Sequence, residues 1–148
     1  MLSENEQSSV GKPTGLILPL QRATHATLRL LAARLADENL TPSEINALAN
    51  LADGRVRSVG EVAALTGTKP TTLTSVLDRL SGRGYLRREL DPADRRSFLL
   101  HLSPEGDRVA RLARAAIESI EEAATASLAQ ADVAGFIKVL RALEEVSQ

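Results

Sequence analysis

The chain reads as a mainly α protein that carries one small β-hairpin. Three observations predict this. Aromatic residues make up only 2% of the 148 positions, so a core must rest on Leu, Val, Ile and Ala, a palette that favours helix over sheet. Apolar residues recur at helical spacing over most of the chain. Between Leu86 and Leu102, by contrast, two short runs of strand character flank a six-residue polar loop, the pattern of a hairpin.

The elements follow in order. Residues 1–14, a mostly polar stretch with Ser, Asn, Gln, Gly and Pro, are expected to be a flexible arm. A first helix is expected from about Leu16 to Ala36, with Leu16, Leu20, Leu28, Leu31 and Leu35 sharing a face. Thr41-Pro42-Ser43-Glu44 is a helix start: Thr41 caps, Pro42 fits the first turn, and Glu44 reaches back to the cap. Gly54 ends that helix, and Ser58-Val59-Gly60-Glu61 repeats the capping box. Gly67 permits a tight turn. Lys69 precedes a proline and is disfavoured as helix, so the next helix starts at Pro70. Leu73, Val76, Leu77 and Leu80 form its apolar face. A rotation of about 100° per residue puts Thr71, Ser75 and Asp78 opposite, flanked by Thr74 and Arg79. Strands Leu86–Leu90 and Ser97–Leu102 come next. Ser103 then caps an Ala-rich helix reaching about Leu128, and a last helix runs from about Asp132.

Composition bounds the function. The chain lacks cysteine, which removes disulfides, thiolate metal sites and thiol redox sensing. No Gly-x-Ser-x-Gly, Gly-x-Gly-x-x-Gly or Gly-Lys-Ser/Thr phosphate loop occurs, so an enzyme is not expected, nor is a cofactor. The polar start is no secretory signal and no apolar run approaches a membrane span, which points to the cytoplasm. Net charge is −1, but it is unevenly spread: residues 40–101 carry nine Lys/Arg against seven Asp/Glu, and residues 102–148 carry five against eight. A mildly basic middle suits a protein that presents one face to phosphate.

The middle also holds the candidate contacts. Thr71, Thr72, Thr74 and Ser75 are short donors and acceptors at an exposed helix start, a place suited to base edges and phosphates. Thr71 and Ser75 are the stronger pair; Thr72 and Thr74 are evenly divided between contact and simple capping. Arg95 and Arg96 lie at the hairpin tip, where an arginine can enter a narrow minor groove or pair with Asp91 or Asp94. Lys69, Arg79, Arg83, Arg87 and Arg88 are candidate phosphate clamps, Arg79 first and Arg83 next. Arg87 and Arg88 are adjacent on a strand and face opposite ways, so only one of them is expected to meet DNA. Asp91 and Asp94 have no histidine or cysteine beside them, so a salt bridge is preferred to a metal site. His25 is a candidate effector contact, and His101 a solvated or packed strand residue.

Five short motifs occur in sequence: Leu40-Thr41-Pro42, Leu77-Asp78-Arg79-Leu80, Arg83-Gly84-Tyr85-Leu86, Asp91-x-x-Asp94-Arg95-Arg96, and Leu102-Ser103-Pro104-Glu105-Gly106. By their order and spacing, residues 40–106 resemble the winged helix-turn-helix core of the MarR family of bacterial transcriptional regulators. The resemblance implies a homodimer in which residues 15–39 and 103–148 supply dimerisation helices around a DNA-binding domain at 40–102. It implies a recognition helix, about Pro70 to Arg83, in the major groove and a wing in the flanking minor groove. One of Arg95 and Arg96, with Arg95 preferred, is then the groove arginine, and an Asp–Arg pair involving Asp91 or Asp94 stiffens the wing. The site would be double-stranded DNA with an inverted repeat, its halves about 34–36 Å apart. The implied outcome is repression, relieved by a small-molecule effector. The competing expectation is a winged-helix module that binds protein instead of DNA.

Overall fold

The computed structural model describes residues 15–147; the arm expected over residues 1–14 lies outside them. Helix α1 (Ile17–Arg34) leads through a single 3-10 turn (Ala36–Glu38) into α2 (Pro42–Leu51). A two-residue strand β1 (Arg57–Ser58) precedes α3 (Val59–Thr66) and α4 (Pro70–Gly82). The hairpin β2 (Leu86–Leu90) and β3 (Phe98–Leu102) follows, then α5 (Pro104–Thr125) and α6 (Gln130–Glu145).

Local chemistry accounts for the joints. Both expected capping boxes form: Thr41 and Ser58 accept from the backbone N–H groups of Glu44 and Glu61, and both glutamates accept from the cap N–H in return. Gly67 ends α3 at φ 67°, where a side chain would be strained. Pro70 opens α4 at its first position. Glycine is required for another reason at Gly106, whose Cα lies against the Tyr85 backbone with no room for a Cβ.

The sheet differs from the expected hairpin by one strand. Its order is β1-β3-β2, all antiparallel, with Arg57 opposite Leu100 and Leu90 opposite Phe98. The core joins α2, α3, α4 and the base of the sheet to the first half of α5, through Ile45, Leu48, Leu51, Val62, Leu77, Leu80, Leu100 and Val109. Burying such side chains contributes about 1.5–3 kcal/mol each. The ends of the chain are different. Leu31 is the one buried residue of α1, and α6 has none, leaving Leu16, Ile17, Leu18, Phe136, Ile137 and Val139 exposed.

Candidate nucleic-acid interface

Helix α4 presents the face the spacing predicts. Leu73, Val76, Leu77 and Leu80 are buried, while Lys69, Thr71, Thr72, Thr74, Ser75, Asp78 and Arg79 are exposed. Two hydroxyls are already committed as donors, Thr74 Oγ1 to the Pro70 carbonyl at 2.9 Å and Ser75 Oγ to the Thr72 carbonyl at 3.0 Å. Each keeps its acceptor lone pairs for an incoming donor. Asp78, at the centre of the same face, is neutralised by Arg88 from β2. That pair also ties the hairpin to α4. Arg87 points the other way and donates to Glu89.

The two favoured clamp arginines have different fates. Arg79 donates through Nε to Glu44 Oε1 at 3.0 Å, and its side chain stays 48% exposed. Glu44 is buried, and burial pushes its carboxyl up; the Thr41 backbone N–H, Arg79 and the Thr41 hydroxyl nonetheless hold it below its ordinary value. Arg83, expected as the second clamp, stays exposed but is engaged with backbone. Its terminal nitrogens donate to the carbonyls of Asn39 and Glu38 at 2.9 and 2.6 Å, and the guanidinium lies 4.8 Å from the Tyr85 ring centre. It satisfies carbonyls left free where the 3-10 turn ends.

The wing tip departs from expectation too. Asp91 and Asp94 form no ion pair with Arg95 or Arg96 among the described residues. Asp91 Oδ1 accepts from the Ala93 N–H at 2.8 Å and Asp94 Oδ1 from the Arg96 N–H at 3.0 Å. An aspartate reaches a backbone N–H two residues on at little entropic cost, and this local bond wins over a long arginine. The loop is thus stiffened by its own backbone, closed by Asp91 N–H to the Ser97 carbonyl at 3.0 Å. Both arginine side chains are left exposed.

Away from this face, α1, α2 and α5 flank an open cleft of about 470 Å³, lined by Leu28, Leu31, Ile45 and Ile117 with Thr24, Asn46 and Glu121. His25, the candidate effector contact, is exposed on α1 and is not among its lining residues. A second cleft of about 580 Å³ beside α2 and α5 is lined by charges already paired, Arg57 with Asp53 and Arg114 with Glu118. His101 Nε2 is buried and lies 3.1 Å from Glu89 Oε2 without the alignment of a hydrogen bond. No cluster of three or more His, Cys, Asp or Glu that could hold a metal occurs among the described residues. No helix among them is long and apolar enough to cross a membrane.

A sequence model of the MarR family matches residues 38–97, the stretch that holds α2, α3, α4 and the wing tip. That stretch is similar to the MarR family. Over 86 residues it is 31% identical to the transcriptional regulator HosA of Escherichia coli O111:H-, covering 58% of this chain and 63% of HosA. The match to that curated relative thus spans less than two thirds of its length. Among solved structures, BpsR of Bordetella bronchiseptica, described for the regulation of its DNA binding by 6-hydroxynicotinic acid, is 25% identical with a TM-score of 0.73, over 90% of this chain and 96% of that one. A probable transcriptional regulator from Pseudomonas aeruginosa is 28% identical with a TM-score of 0.71, over 88% and 97%. Winged helix-turn-helix architecture with flanking helices is therefore the fold of this chain.

Proposed function

We propose that this protein is a MarR-family, sequence-specific DNA-binding transcriptional regulator, acting as a homodimer on an inverted-repeat operator, and most simply as a repressor. The observation that carries this reading is the pairing of surfaces on one rigid unit. The exposed hydroxyl-rich start of α4 is bonded through Asp78 and Arg88 to a hairpin whose tip holds Arg95 and Arg96 without ion-pair partners among the described residues. Thr71, Thr72, Thr74 and Ser75 would face the major groove, Arg95 or Arg96 the minor groove, and Lys69 and Arg79 the flanking phosphates.

The exposed apolar rows of α1 and α6 are the surfaces a second copy would cover, with residues 15–39 and 103–148 forming the dimerisation part. The cleft between α1, α2 and α5 is apolar with a few polar groups, a lining that suits a small-molecule effector. The relative BpsR, whose DNA binding responds to 6-hydroxynicotinic acid, supports a ligand-responsive reading. The rival protein-binding module gained its interest from the acidic Asp78 on the reading face, and Arg88 neutralises that charge.

The test is a binding titration on DNA flanking the protein's own coding region, at two salt concentrations, with shuffled DNA as control. Tight, salt-sensitive binding that prefers the native fragment is expected. Equal weak binding to both fragments, with or without candidate effectors, would count against sequence-specific regulation and favour the protein-binding reading.

A further inference from the structure

The arginines of α4 and β2 are not equally available. Arg83 has both terminal nitrogens on backbone carbonyls, Arg88 uses a terminal nitrogen for Asp78, and Arg87 uses one for Glu89. Arg79 is bonded only through Nε, so both of its terminal amino groups are unpartnered among the described residues, on a side chain that is 48% exposed.

The partner that takes Nε is fixed from both sides. Glu44 is buried, with a side-chain exposure of 4%, and its other oxygen, Oε2, accepts from the Thr41 backbone N–H at 2.8 Å. One carboxylate therefore closes the first turn of α2 and grips an arginine 35 residues further along the chain. An arginine fork held at one end keeps a planar pair of donors at the other, the geometry that suits a phosphate. Immobilising the long side chain before binding removes part of the ordering cost that a free arginine would meet on the duplex.

We propose that Glu44 is a positioning residue for DNA contact: it anchors Arg79 by Nε and thereby aims the two terminal amino groups of Arg79 at a backbone phosphate. The proposal rests on the DNA-binding reading above. It does not depend on knowing the operator, because phosphate contacts are independent of sequence.

The test measures affinity and its salt slope for the full chain on a random-sequence duplex and on the native upstream fragment. Four proteins are compared: wild type, Arg79→Ala, Glu44→Gln and the double variant. Gln keeps a capping-box side chain at this position, but its single carbonyl oxygen cannot serve both Thr41 and Arg79. Thermal melting confirms that each variant is folded.

Arg79→Ala is expected to shallow the salt slope by about 0.9 per subunit and weaken binding roughly tenfold on either duplex. Glu44→Gln should reproduce most of that loss in the wild type and add nothing in the Arg79→Ala background. Three results overturn the proposal alone: an unchanged slope for Arg79→Ala, tighter binding by Glu44→Gln (the carboxylate then competes with phosphate), or equal weakening by Glu44→Gln in both backgrounds. A wild type that binds neither duplex at any salt overturns the DNA reading, and this proposal with it.

Discussion

Gly106 sits where the first turn of α5 meets the start of β2, and a single methyl group there has a calculable effect. A Cβ built on Gly106 would lie 1.8 Å from the Tyr85 carbonyl oxygen and 2.6 Å from its carbon. Reaching even the closest separation that real Cβ atoms show, about 3.0 Å, requires the helix and strand to part by about 1.2 Å. The same joint is held by the Ser103 N–H on the Tyr85 carbonyl at 2.9 Å and by Ser103 Oγ on the Gly84 carbonyl at 2.6 Å. A displacement of that size breaks both bonds, at about 1 kcal/mol each, and strain in the packed joint adds about 1–3 kcal/mol. Alanine's better helix propensity returns up to about 1 kcal/mol, so Gly106→Ala should cost roughly 2–4 kcal/mol. Gly60→Ala is the matched control. Its Cβ would meet only Ser58 Oγ at 3.9 Å, and it should be neutral or stabilising by a few tenths of a kcal/mol. Urea unfolding of the two variants beside the wild type decides the matter. A Gly106→Ala loss under about 1 kcal/mol, or a shift of the same sign in both variants, would refute the packing argument.

Three further outcomes are expected. Arg95→Ala should shallow the salt slope of operator binding by about 0.9 per subunit, without lowering the melting temperature, because its side chain makes no bond among the described residues; an unaltered slope in a titration removes Arg95 from the groove. Phe136→Asp, on an apolar row of α6 that is 55% exposed at this residue, should yield a monomer by sedimentation and abolish tight operator binding, whereas a persistent dimer would place the interface elsewhere. Glu44 is held below its ordinary value in the fold, so its contribution is fully present above the ordinary glutamate range and is lost as pH falls through the lowered folded value. The stability difference between wild type and Glu44→Gln, read from urea midpoints, should therefore shrink on acidification, and a difference that grows would reverse the sign of the assignment.

Short-range chemistry made most of this fold legible. Thr41 with Glu44, Ser58 with Glu61, Gly67 and Pro70 each act within three or four residues, so they fix helix ends from local sequence alone. The burial of Leu73, Val76, Leu77 and Leu80 follows from spacing, as does the exposure of Thr71, Ser75 and Asp78. Strand β1 has only two residues, too few to show alternation, and it forms because β3 offers a free edge. The 3-10 turn at Ala36–Glu38 left no periodic trace either; the expected first helix ran on to Ala36, whereas α1 ends at Arg34. In the site, the positions were legible but the partners were not. Arg79 meets Glu44 across 35 residues and Arg83 meets Glu38 and Asn39 across about 45. Such bonds depend on how helices pack, which no local spacing reveals. At the wing the error had the opposite origin: Asp91 and Asp94 chose nearer backbone partners than the arginines beside them.

The distribution of side chains on α4 constrains how such a protein could discriminate sequences. Thr71, Thr72, Thr74 and Ser75 are short, and the reach of Arg88 is spent on Asp78. Thr74 and Ser75 have directed their hydroxyl protons to their own helix, so in this arrangement they offer acceptors to the groove. Acceptors favour the amino groups of adenine and cytosine over the carbonyl oxygens of thymine and guanine. A few such contacts would supply about 1–3 kcal/mol of discrimination apiece only if bidentate, which a hydroxyl is not. On the proposed reading, the larger part of any preference would then come from where the wing arginines find a narrow minor groove and from how easily the duplex conforms to a dimer's two heads. On that reading, substitutions at Arg95 and Arg96 should relax sequence preference more than substitution of any single hydroxyl on α4.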